Sequence, residues 1–333
     1  SHAATALGPA AKKQRHRVRA SGLTMMSARC LMPRLASFAR AALLSSLALF
    51  APADAADAPV YKAQGLDTPT INFVLGNFEF VLLHELAHVV IGELKVPVLG
   101  PEEDAADYLA ATALLNTTRN DPVSYQRAST YLLAAAEGLR FSWAAGTARS
   151  AEQPYWNNHS LNIQRFYSIV CLLYGNDPKA YAGLPAAIGM PASRATGCAA
   201  EWQKADRSFH WLLDNFGRKP GEAAGPEIAI IYDVPKTLVA AELLRAVQKD
   251  GMLERVTGAM RERIILPQKI SLHMRSCGRP EAAWQPEQQE LVLCFELLDA
   301  LYQLSDSRNT GFNRSGSMQL LQFPAIAGTD HGG

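Results

Sequence analysis

Between residues 72 and 94, apolar side chains recur at three- and four-residue steps, with Phe73, Phe80, Leu83, Leu86, Ala87 and Val90 among them. That is the period of a helix with a buried face, and it predicts a helix over Asn72–Leu94. The pattern breaks in Lys95-Val-Pro-Val-Leu-Gly100. Pro101 suits the first position of a second helix, and Glu102, Glu103 and Asp104 fill a first turn where the helix dipole favours carboxylates. This helix is expected to run to about Leu115. Helical spacing returns over Ser124–Trp143, Leu161–Tyr174, Ala199–Phe216 and Val234–Val247, with a last amphipathic helix over Leu291–Leu304. Asn120-Asp-Pro122 and Gly175-Asn-Asp-Pro178 are breaks, and residues 178–197 read as loop-rich. Strand character is confined to Ile228–Tyr232 and to Lys269–Arg275, the latter expected as an extended edge strand. No repeat of fixed period is present. The expected fold is mainly α (α+β): a single helical domain over 56–333 with a small sheet.

The first 55 residues follow a different pattern. A basic stretch includes Lys12-Lys13-Gln14-Arg15-His16-Arg17, and the first methionines are Met25 and Met26. Arg29, Arg34 and Arg40 then precede the apolar run 41–50, and Ala53-Asp54-Ala55 has the small-x-small form of a cleavage site. This is the order of a secretory signal peptide. The run falls short of the roughly 20 residues needed to span a bilayer. The expectation is export to the periplasm or exterior, cleavage after Ala55 and no stable membrane span afterwards. A polar leader over Ala56–Thr68 would follow, and a loose Gly- and Ser-rich tail after Arg308.

Composition narrows the partners. The chain holds 32 basic and 31 acidic residues and is 48% apolar, an ordinary globular balance that gives no electrostatic reason to expect nucleic acid. Export changes the reading of cysteine. Once Cys30 leaves, Cys171, Cys198, Cys277 and Cys294 remain. Four cysteines in an oxidising compartment suggest two disulfides. Sequence proximity favours Cys171–Cys198 and Cys277–Cys294 among the three connectivities.

The candidate chemistry lies inside the first helix. His84-Glu85-Leu86-Ala87-His88 puts two imidazoles at i and i+4 on one face, where both can reach one Zn²⁺. Glu85 sits beside that face, placed to act as a general base without ligating. Two histidines and a glutamate in so apolar a helix are costly unless satisfied. A catalytic zinc site takes a third protein ligand. A short loop folds the first turn of the second helix back against the first, which nominates Glu103. Asp107, one turn later on the same face, is placed to hold the free nitrogen of a ligand histidine. Glu102 and Asp104 point elsewhere and are expected to be solvated.

His84-Glu85-x-x-His88 followed by Glu103-x-x-Ala106-Asp107 resembles the gluzincin arrangement of thermolysin-like metallopeptidases. Gly76-Asn77, Pro97-Val-Leu-Gly100, Gln164-Arg165-Phe166-Tyr167, Cys171-Leu-Leu-Tyr-Gly175, Cys277-Gly278 and Leu293-Cys294-Phe295-Glu296-Leu297 extend the likeness over most of the mature chain. They resemble a bacterial metallopeptidase family catalogued as a domain of unknown function. The resemblance implies a zincin-like fold and hydrolysis of peptide or protein substrates. Such families carry an Asn-Ala-aromatic-Tyr stretch after the Cys-Gly, where this chain has Glu281-Ala-Ala-Trp284. His159, Arg165 and Tyr167 are candidates to stabilise the transition state, and His210 and His273 are expected to be structural. The sequence therefore points to a zinc-dependent peptidase whose attacking water is activated by Glu85. The alternative is an exported binding module that keeps a structural zinc without catalysis.

Overall fold

The computed structural model describes residues 66–148 and 155–311. The expected signal segment, most of the leader and the tail beyond 311 lie outside the described residues. Helix α1 (Thr68–Leu94) starts where the Asp67 carboxylate accepts the Thr70 N–H at 2.8 Å and stops at Lys95, which turns into the left-handed region (φ 52°). Helices α2 (Glu102–Thr118), α3 (Pro122–Ala148) and α4 (Asn162–Asn176) follow. The short turns α5 (Leu184–Ala187) and α6 (Ala192–Ala195) lead into α7 (Cys198–Phe216). Strand β1 (Ala229–Tyr232) precedes α8 (Leu238–Asp250) and α9 (Met252–Arg263). Strands β2 (Ser271–Arg275), β3 (Ala282–Gln285) and β4 (Glu290–Cys294) and helix α10 (Phe295–Gly311) complete the described chain.

The apolar character of α1 reflects where it lies. By length and composition it could cross a membrane, but 78% of its most apolar window is buried inside the fold, packed on α2, α3, α8, α10 and the sheet. It separates two apolar clusters. Phe73, Phe78 and Leu82 join Leu243, Met252, Leu272, Leu291 and Leu298 of the sheet side. Phe80 joins Leu115, Leu132, Phe166, Leu172 and Trp202 of α2, α3, α4 and α7. Glycine lets α3 approach closely. A Cβ on Gly76 would lie 2.7 Å from the Tyr131 carbonyl oxygen, and one on Gly138 only 1.9 Å from Asn77 Oδ1. Asn77 Nδ2 spans the crossing, donating to the carbonyls of Phe73 at 2.8 Å and Ala134 at 2.9 Å.

The sheet order is β1-β2-β4-β3; β2 runs parallel to both β1 and β4, and β3 runs antiparallel to β4. Four sequence expectations change here. The Lys269–Arg275 stretch forms β2, an interior strand and not an edge, because β1 and β4 flank it. Residues 291–294 form a strand, so the last helix begins at Phe295 instead of Leu291. Leu291-Val-Leu-Cys294 is buried throughout, and a short apolar run enclosed on all sides carries no period that separates strand from helix. Helix α9 was not expected, and α8 begins at Leu238, four residues later than the pattern suggested. Pro235 disfavours helical backbone at Val234, and the Thr237 hydroxyl caps α8 by accepting the Ala240 N–H at 3.0 Å.

Disulfides join Cys171 to Cys198 and Cys277 to Cys294, the two pairs that sequence proximity favoured. The first ties α4 to the start of α7, and the second ties the segment after β2 to the end of β4. Such bonds persist in oxidising surroundings.

Candidate metal centre

The α1–α2 pair brings three side chains to one point. His84 Nε2 lies 3.1 Å from Glu103 Oε2, His88 Nε2 lies 3.3 Å from the same oxygen, and the two ring nitrogens are 3.2 Å apart. The histidines come together because four residues make about one helical turn. Glu103 reaches them from the first turn of α2, across the loop that ends at Gly100 (φ 116°).

The outer nitrogens of both rings are engaged. His84 Nδ1 faces Asp107 Oδ1 at 2.8 Å, and His88 Nδ1 faces Glu102 Oε1 at 2.8 Å. Each Nδ1 therefore carries the donated proton, and in the neutral ring the lone pair sits on Nε2. Two lone pairs and a carboxylate oxygen then converge, a repulsive arrangement unless a proton or a metal ion lies between them. The edges of the triangle, 3.1, 3.2 and 3.3 Å, match one face of a tetrahedral centre. Bonds of about 2.0–2.1 Å place ligands roughly 3.3 Å apart. The residues present thus fit a zinc-sized cation.

Behind His84 the chain of contacts continues. Arg165 from α4 grips Asp107 with two bonds, Nε to Oδ2 at 2.6 Å and Nη2 to Oδ1 at 2.8 Å. Burial disfavours the Asp107 carboxylate, but Arg165 and His84 outweigh it and hold its pKa below the usual range. Burial likewise opposes charge on His84, and the Asp107 bond reverses the sign, so its pKa is raised.

Glu85 points away from this chain toward the sheet. Its Oε2 accepts the backbone N–H of Trp284 in β3 at 3.2 Å. Burial pushes its carboxyl above the usual range, against the downward pull of His84, His88 and the Trp284 amide.

The three transition-state candidates separate in space. His159 Nε2 lies 2.8 Å from Glu103 Oε2, and its ring stacks near that of His84 with centroids 6.1 Å apart. His84, Glu103 and His159 also form a group able to hold a metal ion. Burial pushes the His159 pKa down despite Glu103 nearby. Arg165 is committed to Asp107, behind the histidines. Tyr167 packs against the second apolar cluster, edge-on to Phe166 at 5.0 Å. Glu102 and Asp104 are not simply solvated: Glu102 holds His88, and Asp104 accepts the Ser160 hydroxyl at 2.9 Å. The contact of Glu102 follows from loop geometry, and the Trp284 amide is a backbone group, so neither leaves a side-chain signal in the sequence. His210 is exposed beside Asp206 at 3.7 Å, and His273 bridges Asp233 and Glu290 at 3.1 and 3.0 Å.

A family model described as "Putative metallopeptidase" matches residues 52–213 and 232–321. No curated protein and no solved structure gives a significant match. The matched residues include both donor helices, the Trp284 strand and all four disulfide cysteines, and they make up most of the chain, which therefore belongs to this metallopeptidase family.

Proposed function

We propose that the protein is an exported, zinc-dependent peptidase whose ion is held by His84, His88 and Glu103. The observation that carries this reading is the convergence of two histidine ring nitrogens and one carboxylate oxygen at the spacing of a tetrahedral face. A bound Zn²⁺ supplies a Lewis acid that polarises the scissile carbonyl and makes water more acidic. Glu85 takes the proton of the attacking water and delivers it to the leaving amine. The Trp284 amide fixes the Glu85 carboxylate, and its partial burial favours a base strong enough to accept that proton. Asp107, held by Arg165, orients His84, and Glu102 orients His88. Among the three candidates, His159 has its polar end beside the donor triangle, and it serves as the donor to the developing oxyanion. The substrate is a peptide or protein, and the mature chain starts near Ala56.

One observation favours a second reading. His159 Nε2 lies 2.8 Å from Glu103 Oε2, and His159 joins His84 and Glu103 in a group that could hold a metal ion, so that a fourth protein ligand would close the shell as in structural zinc sites. That would make the protein a zinc-containing binding module without catalysis.

The test is hydrolysis of an unfolded protein by wild type and Glu85→Gln, each with its zinc content measured. The peptidase reading expects equal zinc and a rate lower by about 10²–10⁴-fold in the variant. Zinc-loaded wild type that cleaves nothing across a broad peptide library supports the binding module instead.

A further inference from the structure

A cavity of about 310 Å³ opens between α1, α2, α3, α7 and α9, and none of the donor-triangle residues lines it. Protein interiors seldom leave voids larger than a water molecule, whereas ligand pockets begin near this size. Along α1 the lining runs from Glu79 to Val90, a length of about 16 Å at 1.5 Å per residue. The cavity is therefore a slot. Its walls are mostly apolar, with Leu86, Leu114, Phe209 and Met260 among them, and Thr117, Asp121, Ser124 and Arg263 interrupt them.

One end is different. Glu79, 1% exposed, is paired with Arg127 at 2.7 Å and with Arg255 at 3.4 Å. Arg255 also holds Asp250 at 2.7 Å and lines the slot. The two guanidiniums are balanced by the Glu79 and Asp250 carboxylates, so a head group that accepts a hydrogen bond at this end need not carry charge.

We propose that the slot binds one single-chain amphiphile, its acyl chain lying along α1 and an oxygen of its head group facing Arg255. A narrow, mostly apolar slot with one wet end takes such a molecule in a single orientation.

The experiment uses the full chain and calorimetric titration with decanoate and with decan-1-ol. Both are expected to bind at one equivalent, because the acyl chain supplies most of the contact. Ala113→Phe and Ala259→Phe each place a ring in the slot. Each should weaken binding by about tenfold or more, the worth of some two methylene contacts, while helical circular dichroism and melting temperature hold or rise. If one variant fails to fold, the other carries the test. Decanoate binding without decanol would show that the head needs charge and overturn the neutral-acceptor part. Absence of saturable binding, or equal affinity in folded slot-filled variants, overturns the proposal.

Discussion

Asp107 Oδ1 stands 2.8 Å from His84 Nδ1 while the same carboxylate is clamped by Arg165. One buried carboxylate thus joins α2 to α1 and α4. Asp107→Ala frees the His84 ring to turn and to change tautomer. Zinc affinity should fall by about 10–100-fold, the usual cost of losing such a partner, as read by competition with a chromophoric chelator. Unchanged affinity would mean that α1 packing alone orients the ring.

The donor triangle makes ordered predictions for metal loss. His88→Ala and Glu103→Ala each remove one corner and should leave the purified protein nearly free of zinc by elemental analysis. Glu102→Ala removes only the partner of His88 Nδ1, whose carboxylate is half exposed (51%). It should lower affinity less than Asp107→Ala does. Zinc stripped by Glu102→Ala and kept by Glu103→Ala would move the third corner of the triangle by one residue.

Gly138→Ala tests the helix crossing. The new methyl would collide with the Asn77 amide, which is pinned by two carbonyls. Either Asn77 gives up those bonds or α3 moves away from α1. Urea unfolding should show a loss of about 1–3 kcal/mol. An unchanged midpoint would show that the crossing has slack.

Much of the site is legible in the sequence because it is local. His84 and His88 are fixed by helical spacing alone, and Glu103 by a short loop between adjacent helices. What escaped depends on distant chain. β2 reads as an edge strand until β4 is known to cover its second side, and Leu291–Cys294 reads as helix because burial on every side erases the period. Trp284 shows only an aromatic preceded by two alanines in the sequence. The role of its amide appears once β3 pairs with β4 and meets α1.

Glu296 gives a prediction in pH. Burial works against its carboxylate, but the backbone N–H groups of Cys277 and Gly278, each at 2.9 Å, hold its pKa below the ordinary glutamate value. A lowered folded pKa stabilises the protein above the ordinary range, about pH 4–5, and that gain disappears as the pH falls through the folded pKa. Glu296→Gln should therefore melt below wild type at neutral pH, with the gap closing as the pH falls below the ordinary glutamate range. A gap independent of pH would assign the effect to lost shape instead of charge.

The short separation of the donors also bears on the order of assembly. His84, His88 and Glu103 lie at most 19 residues apart on two consecutive helices, whereas β1 must find β2 some 42 residues away in register Ala229↔Ser271. Closing the short loop costs less chain entropy, and local contacts form before distant ones. The α1–α2 hairpin can thus gather its three donors while the sheet is still unpaired. On the proposed zinc reading, cation capture would belong to an early stage of folding, and the seating of Glu85 against β3 to a late one.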